Sequence, residues 1–277
     1  MVPHLPVVLV LSGHDPTGGA GLVADSEAIA ANGGWALTIP TAWTVQNCRD
    51  VSEVIPMDPD AMRRMALALD DFDIAAIKVG LVASPATLDA VTDIVRRLPG
   101  VPLVLDPVLR AGGGSELSTS ELVDGLRERL LPLVDILTPN RQELSRLTPG
   151  LEGDDTRRAV ELMTLGCQAI LVTGTDDPID RVPQDWVQHT LHAPDLSRQW
   201  SWPRLEGQFH GSGCTLAAAL AARLGASESL AAACEQAQAF TWESLAHGWQ
   251  PGEAQILPRR LWRLAVTPGM VDGVPPS

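Results

Sequence analysis

The stretch His210-Gly211-Ser212-Gly213-Cys214-Thr215 runs directly into Leu216-Ala217-Ala218-Ala219-Leu220-Ala221-Ala222-Arg223-Leu224. A glycine-rich turn that opens a helix leaves backbone N–H groups unpaired beside the positive end of the helix dipole, and those groups seat an anion. Glycine lets the backbone approach such an anion closely, and the alanines behind it let the helix pack tightly on a sheet. A Gly-Ser-Gly turn is also a common purely structural way to start a helix. The rest of the chain decides between the two readings.

Working outward from this turn, strand and helix patterns alternate along the whole sequence. Pro6 to Ser12 is a Val- and Leu-rich run of the length expected for a strand buried on both faces. Ala20 to Asn32 follows as a helix, closed by Gly33-Gly34. The cycle continues with strands at Trp35 to Thr44, Ile74 to Val79, Val101 to Leu105, Val134 to Leu137 and Ala169 to Thr173. Helices are expected at Asp58 to Leu69, Ser84 to Leu98, Ser118 to Leu131, Arg141 to Leu147 and Asp155 to Leu165. Trp186 to Pro203 alternates apolar and polar residues and reads as a hairpin at one sheet edge. Two more helices, Cys214 to Leu224 and Ser227 to His247, precede a proline-punctuated tail. The pattern predicts an α/β fold with a mostly parallel central sheet and helices on both faces. No linker composition or internal repeat interrupts it, so one domain spans residues 1–277, with its core at about 7–245 and a tail after about 265.

Composition excludes several classes of function. Of the 277 residues 45% are hydrophobic, enough for a large core, yet no apolar run approaches the ~20 residues of a membrane span. The first residues lack the basic start and apolar core of a signal peptide, so the expected location is cytoplasmic. Thirty-four acidic against 20 basic residues give a net charge of −14, a field that repels nucleic acid and anionic membranes. Lys78 is the sole lysine and is followed by Val79, which excludes a Walker phosphate loop. The cysteines, Cys48, Cys167, Cys214 and Cys234, form no CxxC pair, and His210 with Cys214 alone does not make a zinc site.

Ligands of an open parallel sheet collect beyond the carboxyl ends of its strands. The segments falling there are Gly13-His14-Asp15-Pro16-Thr17-Gly18-Gly19-Ala20-Gly21, Val45-Gln46-Asn47, Lys78-Val79-Gly80, Asp106-Pro107-Val108, and Thr138-Pro139-Asn140 with Glu143. Gly19-Ala20-Gly21-Leu22-Val23-Ala24 partly matches a dinucleotide fingerprint, but Trp35 to Gln46 offers no carboxylate for the ribose, so a dehydrogenase is disfavoured.

In this order, and closed by Gly211-Ser212-Gly213-Cys214, the segments resemble the ribokinase-like superfamily and, within it, the hydroxymethylpyrimidine and phosphomethylpyrimidine kinases of thiamine synthesis. The cysteine is the sharpest sign, because most sugar kinases of the superfamily carry an aspartate there. The resemblance implies a three-layer ribokinase-like sandwich and an ATP- and Mg²⁺-dependent kinase. Its acceptor would be a small aminopyrimidine alcohol, then the monophosphate. A homodimer is also implied, with neither nucleic acid nor membrane as partner. It assigns Gln46 to the pyrimidine ring, with Gly13, Ala20, Asp25, Leu81 and Val108 completing that pocket; at Leu81 many relatives have methionine. It assigns Asn140, Glu143, Thr173, Gly174 and Ser212 to the nucleotide, and Glu143 and Asp106 to magnesium. Gly211, Gly213 and Cys214 would be catalytic, with Cys214 as a base whose thiol the helix N-terminus lowers toward a thiolate. Structural roles stay open beside these, with Glu143 as a helix-start carboxylate, Asp25 as a dipole partner and Asp106 as a turn former.

Two departures stand out. Thr173-Gly174-Thr175 lacks the lysine many relatives carry, and Arg110 with Gly112-Gly113-Gly114 replaces their Lys-Ser-Gly. Two other readings therefore remain, a pyridoxal kinase on the same scaffold and a non-catalytic relative that binds the precursor.

Overall fold

The computed structural model describes residues 5–110, 113–174 and 185–264; Ala111, Gly112, Thr175 and the tail after 265 lie outside the described residues. The first half runs β1 (Val7–His14), α1 (Gly21–Ala31), β2 (Trp35–Gln46), β3 (Val51–Pro56), α2 (Pro59–Leu67), β4 (Ile74–Val79), α3 (Pro85–Arg96), β5 (Leu103–Leu105) and α4 (Ser120–Gly125). The second half runs β6 (Ile136–Leu137), α5 (Arg141–Leu147), α6 (Asp155–Thr164), β7 (Ala169–Val172), β8 (Trp186–Ala193), β9 (Leu196–Pro203), α7 (Ser212–Gly225) and α8 (Leu230–Ala246). The described strands form one sheet in the order β3-β2-β1-β4-β5-β6-β7-β8-β9.

The six strands from β2 to β7 are parallel, as the βα alternation predicts. Two apolar layers cover the sheet. One contains Leu9, Leu11, Met62, Leu88, Leu103 and Leu162, and the other Val8, Val10, Ile29, Ala218, Ala221 and Ala237. Alternate residues of β1 supply both layers, which explains why its sequence is apolar without a gap. Five consecutive alanines and leucines of α7, Ala217 to Ala221, are wholly buried, and their small size lets the helix lie close to β1 and β4.

The structure corrects the expected elements in three places. Antiparallel pairs flank the parallel strands at both edges, β2 with β3 on one side and β7 with β8, then β8 with β9, on the other. The β2–β3 hairpin was not expected because β3 is largely exposed and lacks the alternation that marks a half-buried strand. Its turn is closed by Asn47, whose Oδ1 accepts from the backbone N–H groups of Arg49 and Asp50 at 2.8 and 3.2 Å. The helix expected from Ser118 to Leu131 is α-helical only to Gly125, then widens to a π turn and tightens into a 3₁₀ turn carrying Pro132. A proline in regular helix would lose a bond and clash one turn back. Finally, α8 starts at Leu230 rather than Ser227, because Ser227 takes a left-handed φ of 63°. No helix among the described residues is long and apolar enough to cross a membrane.

Candidate active site

The carboxyl ends of the parallel strands and the start of α7 enclose a cavity of about 410 Å³. Gly211 precedes α7 with φ 84° and ψ 18°, and no side chain caps the helix. Its first-turn amides, from Ser212 to Cys214, therefore face the cavity as donors. A side chain at 211 would collide with the carbonyl oxygen of Gly19, so this position must be glycine for both its backbone angle and its packing. The helix begins two residues earlier than its apolar pattern implies, which makes Ser212 and Gly213 part of the anion seat itself.

Two side chains lock this turn to the glycine loop after β1. The carboxylate of Asp15 accepts from Thr17 N at 2.8 Å, Thr17 Oγ1 at 2.9 Å and Ala20 N at 2.9 Å, and lies 2.7 Å from His210 Nε2. Burial by itself would raise the Asp15 carboxyl, but the His210 and Thr17 hydrogen bonds outweigh it and hold the group below its ordinary 3.8. On the other side stands Arg260, only 2% exposed. Its guanidinium donates to Gly18 O at 3.2 Å, to Gly19 O and to Thr215 Oγ1 at 2.8 Å, and pairs with Glu27 at 3.1 Å. One planar fork thus fixes both glycine turns.

Beneath the anion seat lies Lys78, wholly buried, with Nζ 2.8 Å from Asp25 Oδ2 and 3.4 Å from Ser12 Oγ. Burial alone would lower the lysine, yet the charge of Asp25, with Cys214 and Asp106 beyond it, raises its affinity for the proton, so it remains an ammonium. Asp106 is pushed up by burial and drawn back by Lys78; its Oδ2 has no hydrogen-bond partner among the described residues.

The sequence-expected residues are placed as follows. Gly13, Ala20, Gln46, Leu81 and Val108 line one end of the cavity. The amide of Gln46 donates through Nε2 to Thr44 Oγ1 at 2.7 Å, leaving Oε1 as an acceptor. Asp106, Asn140, Glu143, Thr173 and the 211–214 turn line the centre, whereas Gly174 is buried outside the lining. Asn140 and Glu143 form a capping box at the start of α5, with Asn140 N donating to Glu143 Oε2 at 3.0 Å and Glu143 N to Asn140 Oδ1 at 2.8 Å. Arg110 lines the cavity while its Nε donates to Gly114 O at 2.6 Å.

Two expectations need correction. Asp25 does not line the cavity; it faces inward from α1 and is consumed by the ion pair with Lys78. Nor does the helix N-terminus leave Cys214 a thiolate, because burial, opposed by Lys78 and the Gly21 amide, pushes the thiol up from its ordinary 9.0. Sequence reasoning gave no role to Lys78, Asp15, His210 or Arg260. A lone charge inside the apolar run Ile74 to Val79 marked Lys78, but nothing local marks Arg260.

The phosphomethylpyrimidine kinase family model matches residues 15–258. The chain belongs to this family. It is 30% identical over 268 residues to the hydroxymethylpyrimidine/phosphomethylpyrimidine kinase of Streptomyces coelicolor, covering 90% of this chain and 96% of that one. It is 32% identical to the chloroplastic thiamine biosynthetic bifunctional enzyme of Arabidopsis thaliana, of whose length it spans 47%. Among solved structures, an ADP complex of Bacillus subtilis pyridoxal kinase superposes with a TM-score of 0.83 at 23% identity, covering 95% of this chain and 100% of that one, which shows the shared fold.

The glycine turns depend on the Asp15 carboxylate, whose folded-state proton affinity is below its ordinary value. Its stabilisation is therefore complete above the unfolded-state pKa and is lost as pH falls through the folded value. Asp15→Asn is expected to lower stability at neutral pH by about 1–3 kcal/mol and to flatten the loss of melting temperature between about pH 5 and 3, read by thermal denaturation across that range.

Proposed function

We propose that this chain transfers the terminal phosphoryl group of ATP to the hydroxymethyl oxygen of 4-amino-5-hydroxymethyl-2-methylpyrimidine, and then phosphorylates the monophosphate to the diphosphate, in thiamine biosynthesis. The observation that carries this reading is that Gln46 and the 211–214 amides line one cavity, so a ring and a phosphate held by each share the same space. An amide suits an aminopyrimidine, since the acceptor Oε1 meets the exocyclic amino group. Family membership and the Streptomyces coelicolor kinase point to the same reaction.

In the transfer the alcohol oxygen forms a bond to phosphorus while the bond to the ADP oxygen breaks. The transition state is loose, with charge on the phosphoryl oxygens, so fixed amides at Ser212 to Cys214 lower the barrier chiefly by electrostatics and positioning. Because Cys214 keeps its proton in the buried pocket, its contribution as a base is secondary. Asp106, with its orphaned Oδ2, and Glu143 are the cavity carboxylates that would hold a magnesium ion, an oxygen-preferring cation. Such an ion would neutralise charge on the phosphates.

A pyridoxal kinase is the second reading, favoured by the fold shared with the Bacillus subtilis enzyme. We also propose a cytoplasmic homodimer. Trp43, Val45 and Ile55 are 45%, 48% and 43% exposed on the β2–β3 hairpin and provide an apolar patch for pairing.

ADP release coupled to hydroxymethylpyrimidine, its monophosphate and pyridoxal in parallel is expected to be fastest with the first; release with pyridoxal alone, or binding without release, would reject the assignment. Cys214→Ala should lower kcat by no more than about 10²-fold, the low end of general-base effects, whereas Gly211→Ala should abolish turnover. Equal losses in the two variants would return the main role to the thiol. Light scattering of wild type should give twice the chain mass, with Trp43→Glu shifting it toward monomer; a monomeric wild type removes the dimer.

A further inference from the structure

Beyond α8 the chain turns back over the two glycine turns. His210 N donates to Ile256 O at 3.0 Å, Ile256 N to Gln208 O at 2.7 Å and Arg259 N to Ser244 O at 2.9 Å, so residues 256–260 are pinned to the 208–210 segment and to α8. Leu257 packs on Gly19, where a side chain on the glycine would collide with it. This segment delivers Arg260, which is 2% exposed and stands outside the cavity lining. A cation buried beside a site without facing it either holds the fold together or holds the site in shape, and the bonds it makes separate the two roles.

A peptide group is planar, so the direction of its C=O sets the direction of the N–H on its other side. Arg260 Nη1 donates to Gly18 O at 3.2 Å, and the Gly19 N–H of that same unit donates to Thr17 Oγ1 at 3.1 Å. Arg260 Nη2 donates to Gly19 O, and the Ala20 N–H of that unit donates to Asp15 Oδ2 at 2.9 Å. Both units are tied at each end. Arg260 Nε reaches a third unit through Thr215, donating to Oγ1 at 2.8 Å, and Thr215 Oγ1 in turn donates to Gly211 O at 2.8 Å. The other end of this unit is the Ser212 N–H, at the start of α7, where no side chain caps the helix. This is the unit whose N–H is left to the cavity.

We infer that Arg260 is a positioning residue for phosphoryl transfer: touching neither substrate, it aims the Ser212 N–H and the amides that follow at the phosphoryl group by fixing the Gly211 carbonyl against the turn after β1. Fixed dipoles lower a barrier only as far as their geometry matches the charge that develops, and a displacement of about 1 Å costs about 10²-fold in rate. A guanidinium suits the task because its donors lie in one rigid plane, whereas a lysine carries its donors on a single atom and cannot span Thr215 and both carbonyls. Glu27 of α1, 3.1 Å from Nη1, offsets the buried charge. The inference rests on the proposed phosphoryl transfer from ATP.

The test compares wild type with Arg260→Lys and Arg260→Met, well below their melting temperatures, in ADP-release kinetics and in amide exchange of the ligand-free chain. Both variants should lose about 10²-fold in kcat with KM for ATP and for hydroxymethylpyrimidine unchanged, because the interaction lost is one made in the transition state. Methylguanidinium added to Arg260→Ala should restore part of the kcat, and methylammonium should not. Exchange at Gly19, Ala20 and Thr215, whose amides are all hydrogen-bonded, should quicken while β4 and β5 keep their wild-type rates. An arginine that serves stability alone would lower the melting temperature, quicken exchange throughout and leave kcat per folded molecule as it was. If the Arg260 variants do not fold, Thr215→Val, which removes the link to Gly211, takes their place and should lower kcat with both KM values unchanged. Unchanged kcat in the folded variants overturns the inference, as does a loss confined to KM. A wild type that releases no ADP with any acceptor rejects the proposed reaction instead, and the exchange comparison then decides whether Arg260 holds the turns, with unchanged exchange overturning its role.

Discussion

The close contact between two glycine turns, Gly18 to Gly21 after β1 and Gly211 to Gly213 before α7, is the constraint on which the site depends. Gly211 sits so near the Gly19 carbonyl that neither turn can shift alone. Backbone this tight has no side chains of its own to hold it, so the holding is done from outside by Asp15 with His210 and by Arg260. The turns meet over the middle of the sheet, where neighbouring strand ends diverge to helices and leave a crevice. The anion seat is consequently rigid before any ligand arrives, which is the condition for fixed dipoles to stabilise a developing charge.

A protein with a net charge of −14 must bind a polyphosphate against its own long-range field. The short-range positive elements beside the cavity are the first-turn amides of α7 and the Lys78 ammonium held under them. Lys78 is costly to bury, and removing its partner Asp25 would leave an uncompensated charge in the core, a loss of about 3–5 kcal/mol. The pair also spreads its influence to Asp106 and Cys214, so four titrating groups at the floor of the cavity act as one coupled set. The position of Cys214 at a helix N-terminus is outweighed by this buried surrounding, and the thiol keeps its proton.

The two ends of the cavity are built differently. At the Gln46 end a polar amide is oriented by Thr44, and Ser115 is tied to the β2–β3 turn through a 2.7 Å hydrogen bond to Asp50. On the side of β8, β9 and α8 the lining is aromatic, and the indoles of Trp202 and Trp242 donate across to Gln238 Oε1 and Pro203 O.

The sequence by itself determined the parallel sheet, its helices and the strand-end location of the site, because apolar periodicity and glycine placement are local properties that each short segment carries. Gln46, Cys214 and the 211–213 turn were legible for that reason, as was the family their order resembles. Only the tertiary structure decided that Asp25 is spent on Lys78 and that Arg260 reaches back across more than 240 positions to Gly18 and Gly19. Ion pairs, burial and proton affinity arise between residues distant along the chain, and their strength depends on the desolvation that packing imposes, which no local pattern records.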